Sequence, residues 1–143
     1  MLYLDSSGLV KLLVVEELLE WGWQSVENTA VATARITWVE VRAAIARRER
    51  EVPQAEEVWA QARTALSALW PHIRVIELTQ AVAARAGEYA ETLALRGYDA
   101  VQLASALETA TAVPGDWAFL SFDRRLNRAA GLLGLGLPDG VPR

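Results

Sequence analysis

Leu2-Tyr3-Leu4-Asp5-Ser6-Ser7-Gly8 is the stretch on which the fold turns. A short apolar run stops at an acid, and two serines and a glycine follow. That order predicts a strand, a turn and the start of a helix. Leu9, Val10, Leu13 and Val14 continue at helical spacing. Outward from there the same alternation repeats. A short helix is expected over Glu17–Gln24, and a strand over Ala30–Ile36. Thr37-Trp38-Val39-Glu40 opens a helix that runs to about Arg50, and Pro53 begins another that Pro71 ends. Ile73–Leu78 reads as a strand. Thr79 caps a helix over Gln80–Leu95, with Gly97 as its terminator. A helix over Tyr98–Thr111, a strand over Trp117–Ser121 and a helix over Asp123–Gly131 complete the series. Short strands alternating with helices predict an α/β fold with a central parallel sheet of four to five short strands flanked by helices. One domain over residues 1–143 is expected, with a Gly/Pro-rich tail from about 132 and a short edge strand around Leu133–Leu137.

The 143 residues are enough to bury a core, and a 52% hydrophobic, 22% charged composition is that of a globular chain. There is no cysteine, which excludes disulfides and thiolate metal sites, and the single histidine, His72, excludes multi-histidine zinc sites. A metal here would be held by oxygen, which favours a hard cation such as Mg2+ or Mn2+. The amino terminus has no basic stretch before an apolar leader, and the apolar run Ala129–Pro138 is too short to span a bilayer. A cytoplasmic protein is therefore expected. The net charge of −4 hides a clustered distribution. All of the basic residues except Lys11 are arginine; Arg42, Arg47, Arg48 and Arg50 form one group, and Arg124, Arg125 and Arg128 form another.

In a parallel sheet, ligands bind at the carboxyl ends of the strands. Asp5 ends the first strand, Asp123 follows the last, and Glu40 lies in the first turn after the second. Asp99 starts a helix that leads into the last strand. Such a helix runs antiparallel to the strand, so Asp99 arrives at the same edge. Fourteen residues at roughly 1.5 Å each span about 20 Å, enough to cross the sheet. Each acid also sits near a helix amino terminus, where capping alone would favour it, and Thr37-x-x-Glu40 has the form of a capping box. Four carboxylates at one edge repel one another unless a cation lies among them, and such a cluster suits phosphoryl chemistry with a metal-activated water. No glycine-rich phosphate loop or serine–histidine–acid set competes.

Four segments in order, Leu2-Tyr3-Leu4-Asp5-Ser6-Ser7, Thr37-x-x-Glu40-x-x-x-Ala44, Tyr98-Asp99-Ala100-x-x-Leu103-Ala104 and Leu120-Ser121-Phe122-Asp123-x-x-Leu126, resemble those of the PIN-domain ribonucleases, most closely the VapC-like toxins of type II toxin–antitoxin modules. The resemblance implies that Asp5, Glu40, Asp99 and Asp123 bind Mg2+ or Mn2+, with Ser6 and Ser121 orienting carboxylates or water beside them. It further implies RNA cleavage, a homodimer and a small antitoxin protein that blocks the site. Arg42, Arg47, Arg124 and Arg125 are candidates for gripping the RNA backbone. Gln102 stands where many relatives carry histidine, and its position three beyond Asp99 places it near the mouth of the site. Gly8, inside an expected helix, is unusual and suggests close packing.

Two other functions suit the same residues. One is a PIN-like module that holds RNA or a partner without catalysis, which the presence of all four acids disfavours. The other is an α/β metal phosphohydrolase acting on DNA or a small phosphate ester. Trp38, Trp59 and Trp70 read as packing residues. Trp21 and Trp23, two apart, cannot share one helix face, so one is expected at a surface, either as an ordinary exposed tryptophan or as part of a contact.

Overall fold

The computed structural model describes residues 1–14 and 29–143. Its elements run β1 (Leu2–Leu4), α1 (Ser6–Leu13), β2 (Val31–Ala34), α2 (Thr37–Glu51), α3 (Glu56–Leu69), β3 (Arg74–Ile76), α4 (Gln80–Thr92), α5 (Gly97–Ala112), β4 (Ala118–Leu120) and α6 (Arg124–Leu132). The helix expected over Glu17–Gln24, with Trp21 and Trp23, lies outside the described residues.

All the strand pairings are parallel, in the order β3-β2-β1-β4. Strand alternation sorts the apolar side chains onto two faces. Tyr3, Ala32 and Phe119 join Val82, Leu103 and Leu126 on the side of α4, α5 and α6. Leu2, Leu4 and Leu120 join Leu9, Ile45 and Leu66 on the side of α1, α2 and α3. Tyr3 and Phe119 stack with ring centroids 5.5 Å apart. Trp59 is buried, and Trp38 meets Trp70 edge to face at 5.0 Å, so all three act in packing. No helix among the described residues is long and apolar enough to cross a membrane.

Four local expectations change. Gly97 does not terminate α4 but begins α5; the turn between them is made by Ala94, whose φ of 51° is a left-handed conformation that usually favours glycine. The tail forms no edge strand, only a single parallel bridge between Gly136 and Ala118. Pro53 sits in a 3-10 turn (Pro53–Ala55) ahead of α3, and Pro71 lies inside a second such turn (Trp70–His72). Thr79 does cap α4, accepting the Val82 N–H at 3.2 Å.

Candidate active site

The sheet order reverses direction at β1: β2 lies on one side and β4 on the other. Helices that leave neighbouring strands toward opposite faces open a crevice at their carboxyl ends. Asp5 and Asp123 follow the two strands that flank this crevice.

Asp5 forms its floor. It is 5% exposed, caps α1 through the Gly8 N–H at 2.7 Å, and accepts from Ser121 Oγ at 2.8 Å. Ser7 Oγ lies 2.8 and 2.9 Å from its two oxygens. Burial pushes the Asp5 carboxyl up to about 6, against the pull of these hydrogen bonds, and the Glu40 charge adds to the rise. Gly8 explains how α1 comes so close. A Cβ there would lie 2.6 Å from the Leu120 carbonyl oxygen, so any side chain would push the helix off the end of β4.

Glu40 is held from the side. Its Oε2 accepts from Ser6 Oγ and from Gln102 Nε2, the latter at 2.8 Å. The capping-box reading is wrong here. Ile36 is the N-cap of α2, with no side-chain cap bond, and Thr37 Oγ1 instead meets Thr33 Oγ1 at 2.8 Å and Gln102 Nε2 at 2.9 Å. Gln102 is also not at the mouth. It is 2% exposed, and its carbonyl accepts from the Tyr3 hydroxyl at 2.9 Å. That bond fixes which end of the amide faces Glu40. Position three beyond Asp99 on α5 points back over the sheet, because α5 packs against β2.

Asp99, in the first turn of α5, is half-buried. Burial raises its protonation, the Asp123 and Glu40 charges add to the rise, and Arg96 and Arg125 oppose it. Asp123 caps α6, accepting the N–H groups of Arg125 at 2.8 Å and Leu126 at 3.0 Å, while its own N–H donates to Ser121 Oγ at 3.0 Å. The four acids thus share one neighbourhood, linked by charge and by shared hydroxyls. Among the described residues, no group of three or more stands within reach of a single ion, and Asp5, Glu40 and Asp123 each accept hydrogen bonds from the protein. The donor set is nevertheless that of a hard cation: carboxylate and hydroxyl oxygens, with two acids whose protonation is raised by burial and, to a lesser degree, by neighbouring carboxylates.

A cleft of about 640 Å³ opens over this floor, lined by Ser6, Glu40 and Asp123 with Lys11, Arg47 and Arg48 around them. Arg96 lines it too, and with Tyr98 borders Asp99 in an adjoining hollow. Of the expected arginines, Arg47 belongs to this cleft. Arg42 does not, since its guanidinium sits over the Trp38 ring at 5.5 Å. Arg124 and Arg125 line a different cleft.

A sequence model of the family described as PIN domain matches residues 2–132. The chain belongs to the PIN-domain family. Two relatives of this PIN domain, Ribonuclease VapC45 and Ribonuclease VapC49 of Mycobacterium tuberculosis, are each 38% identical to it over 133 residues, covering 91% of this chain and 89% of theirs. Its fold is shared by a solved structure of VapBC2 from Rickettsia felis bound to a DNA fragment from their promoter, with a TM-score of 0.63 at 14% identity over 96% of this chain and 98% of that one.

Three residues of this PIN-domain site were not singled out from the sequence. Ser7 contacts both oxygens of Asp5 and accepts the Phe122 N–H at 2.8 Å; its only sequence signal was the tandem Ser6-Ser7 after the acid. Arg96 flanks Asp99, as its place three residues earlier hinted. Arg48 joins Arg47, where alternating helix faces gave no reason to choose it.

Proposed function

We propose that this PIN domain is a divalent-metal-dependent endoribonuclease, the toxin of a toxin–antitoxin pair. The observation that supports it best is that Ser121 Oγ joins Asp5 to the start of the Asp123 turn, while Glu40 and Asp123 line one cleft. Acids recruited to one crevice at a cost in repulsion call for a cation, here Mg2+ or Mn2+. The likeness to two named ribonucleases over nearly the whole chain gives the reaction class.

In this reading Asp5, Glu40, Asp99 and Asp123 hold the ion. Once bound, it supplies an activated water and steadies charge on the phosphate. The protein's own part is placement. Ser7, Ser121 and the Gly8 N–H lock the Asp5 carboxylate, while Ser6 and Gln102 orient Glu40. Arg47, Arg48 and Arg96 face the cleft and can neutralise backbone phosphates of an RNA strand lying in it. A cytoplasmic location belongs to the same reading. A homodimer and a small antitoxin that covers the cleft follow from the same resemblance of motifs.

One observation favours a second reading, a module that binds RNA without cutting it: three of the acids are already engaged by protein donors. A single panel separates the two. A fluorogenic RNA, its DNA counterpart and a phosphate monoester are each incubated with Mg2+ and with EDTA. Cleavage of the RNA alone, abolished by EDTA, is expected. RNA binding without cleavage would select the second reading, and hydrolysis of DNA or the monoester would replace RNA as the substrate.

A further inference from the structure

Beside α6 lies a second cleft of about 500 Å³. Four arginines line it, Arg124, Arg125, Arg128 and Arg143, with Asn127 and Leu137 among the remaining wall residues and no Asp or Glu side chain. Arg124 and Arg128 share a helix face at i and i+4. Arg143 arrives from the tail, which is pinned there: the buried Asn127 donates to the Pro142 carbonyl at 2.7 Å, and Val141 is buried. Asp139 meets Arg143 only at 3.8 Å, with its own side chain fully in solvent.

This concentration of positive charge runs against two local rules. The chain as a whole carries −4, and arginines in the first turn of a helix face the positive end of its dipole. Four like charges gathered at such a cost, with only one exposed acid paired to them at 3.8 Å, mark a surface that meets an anion. Arginine's planar fork suits phosphate oxygens in particular.

We propose that this arginine cleft is a second binding site for the substrate, an exosite that takes backbone phosphates of single-stranded RNA lying beyond the cut position. Its position selects RNA over other polyanions. Asp123 lines the acidic cleft and the next residue, Arg124, lines this one, so a strand leaving the acids over the start of α6 enters it directly. Arg125 braces the junction by donating to the Ala94 carbonyl at 2.6 Å, in the turn that leads to Arg96. The exosite rests on the ribonuclease reading given above, and it adds that substrates long enough to reach it bind more tightly than short ones.

The test compares the parent with the double variant Arg128→Gln, Arg143→Gln. Both side chains are exposed, so the melting midpoint serves as a fold check, and an Arg128→Lys, Arg143→Lys pair keeps the charge while removing the fork. Binding of labelled single-stranded RNAs of roughly 4 and roughly 12 nucleotides is followed by fluorescence anisotropy in EDTA across a salt series. The parent should bind the longer RNA more tightly and with a steeper salt slope. In the Gln variant that advantage should shrink roughly tenfold, and the slope for the longer RNA should fall by about 1.4, or about 0.7 for each phosphate no longer neutralised. The Lys pair should keep most of the slope. Equal slopes in parent and Gln variant would overturn the exosite. So would a variant that keeps RNA binding but loses binding to labelled polyglutamate, which would make the cleft a docking surface for an acidic protein. A parent that binds neither RNA at low salt would instead defeat the ribonuclease reading itself.

Discussion

The floor and the mouth of the acidic cleft are built on different principles. At the floor, Asp5 and Glu40 are held by hydroxyls, a backbone N–H and the Gln102 amide, with every partner on α1 or α5 or, for Ser121, just past the end of β4. At the mouth, Asp99 has no such fixed donors among the described residues: burial raises its protonation, and the charges of Asp123, Arg96, Glu40 and Arg125 act on it in turn. The floor governs where oxygen atoms lie. The mouth governs how much negative charge the site carries and how it responds to ions. Substitutions at the floor should therefore damage geometry, and changes at the mouth should alter electrostatic response.

The largest effect is expected at the floor. Asp5→Asn keeps the cap and the shape but removes the charge, and should lower RNA cleavage by more than about 100-fold, since residues that merely orient metal ligands already contribute about 10- to 100-fold. Single-turnover cleavage at fixed Mg2+ checks this, with circular dichroism as the fold control. Activity within about tenfold of the parent would mean that Asp5 is only a helix cap.

The same residue should shape the pH dependence of stability. Its carboxyl moves from 3.8 to about 6 on folding, so the native state holds the proton more tightly than the unfolded chain. The resulting stabilisation is fully present below 3.8 and is lost as pH rises through about 6. It amounts to about 3 kcal/mol for a fully buried group. Urea melts in EDTA should show stability falling across that window and then levelling, and Asp5→Asn should remove the fall.

Next in size is Gln102→Leu. It leaves Glu40 and the Tyr3 hydroxyl each short of a buried partner, which should cost about 1–3 kcal/mol of stability. Cleavage should drop about 10- to 100-fold. If Gln102→Leu cut RNA as the parent does, the contrast between a positioned floor and an electrostatic mouth would collapse. The smallest effect should come from Arg42→Ala. Its guanidinium is committed to the Trp38 ring, so RNA affinity should stay within about twofold while stability falls by about 0.5–1 kcal/mol.

These contrasts also mark what sequence reading reached. The alternation of Leu2–Leu4, Gly8 and the helical run beyond them encodes local structure, and the edge shared by Asp5, Glu40 and Asp123 follows from parallel strands alone. What escaped it depends on contacts between distant residues. The strand order that makes β1 and β4 neighbours leaves no periodicity in the chain. Thr37-x-x-Glu40 satisfies the pattern of a capping box, yet Gln102, from a helix 62 positions later, takes both side chains for its own network. Gly97 carries the composition of a helix stop, but the turn closes three residues earlier at Ala94 because α4 and α5 pack tightly together. Arg124 and Arg125 follow Asp123 in sequence and line the second cleft, while the Arg125 charge still reaches Asp99.

If the acids of this crevice hold a divalent ion, thermal melts of the parent and of Asp99→Asn, each in EDTA and in Mn2+, will show it. Free Mn2+ at about ten times Kd should stabilise the parent by roughly 1.4 kcal/mol. For a chain of this size that is a rise of several degrees in Tm. In EDTA, Asp99→Asn should melt at or above the parent, because it relieves repulsion from Asp123 and Glu40, and its gain in Mn2+ should be smaller. No Mn2+ shift in the parent, together with a lower Tm for Asp99→Asn under both conditions, would contradict the account and leave these acids as helix-terminal residues.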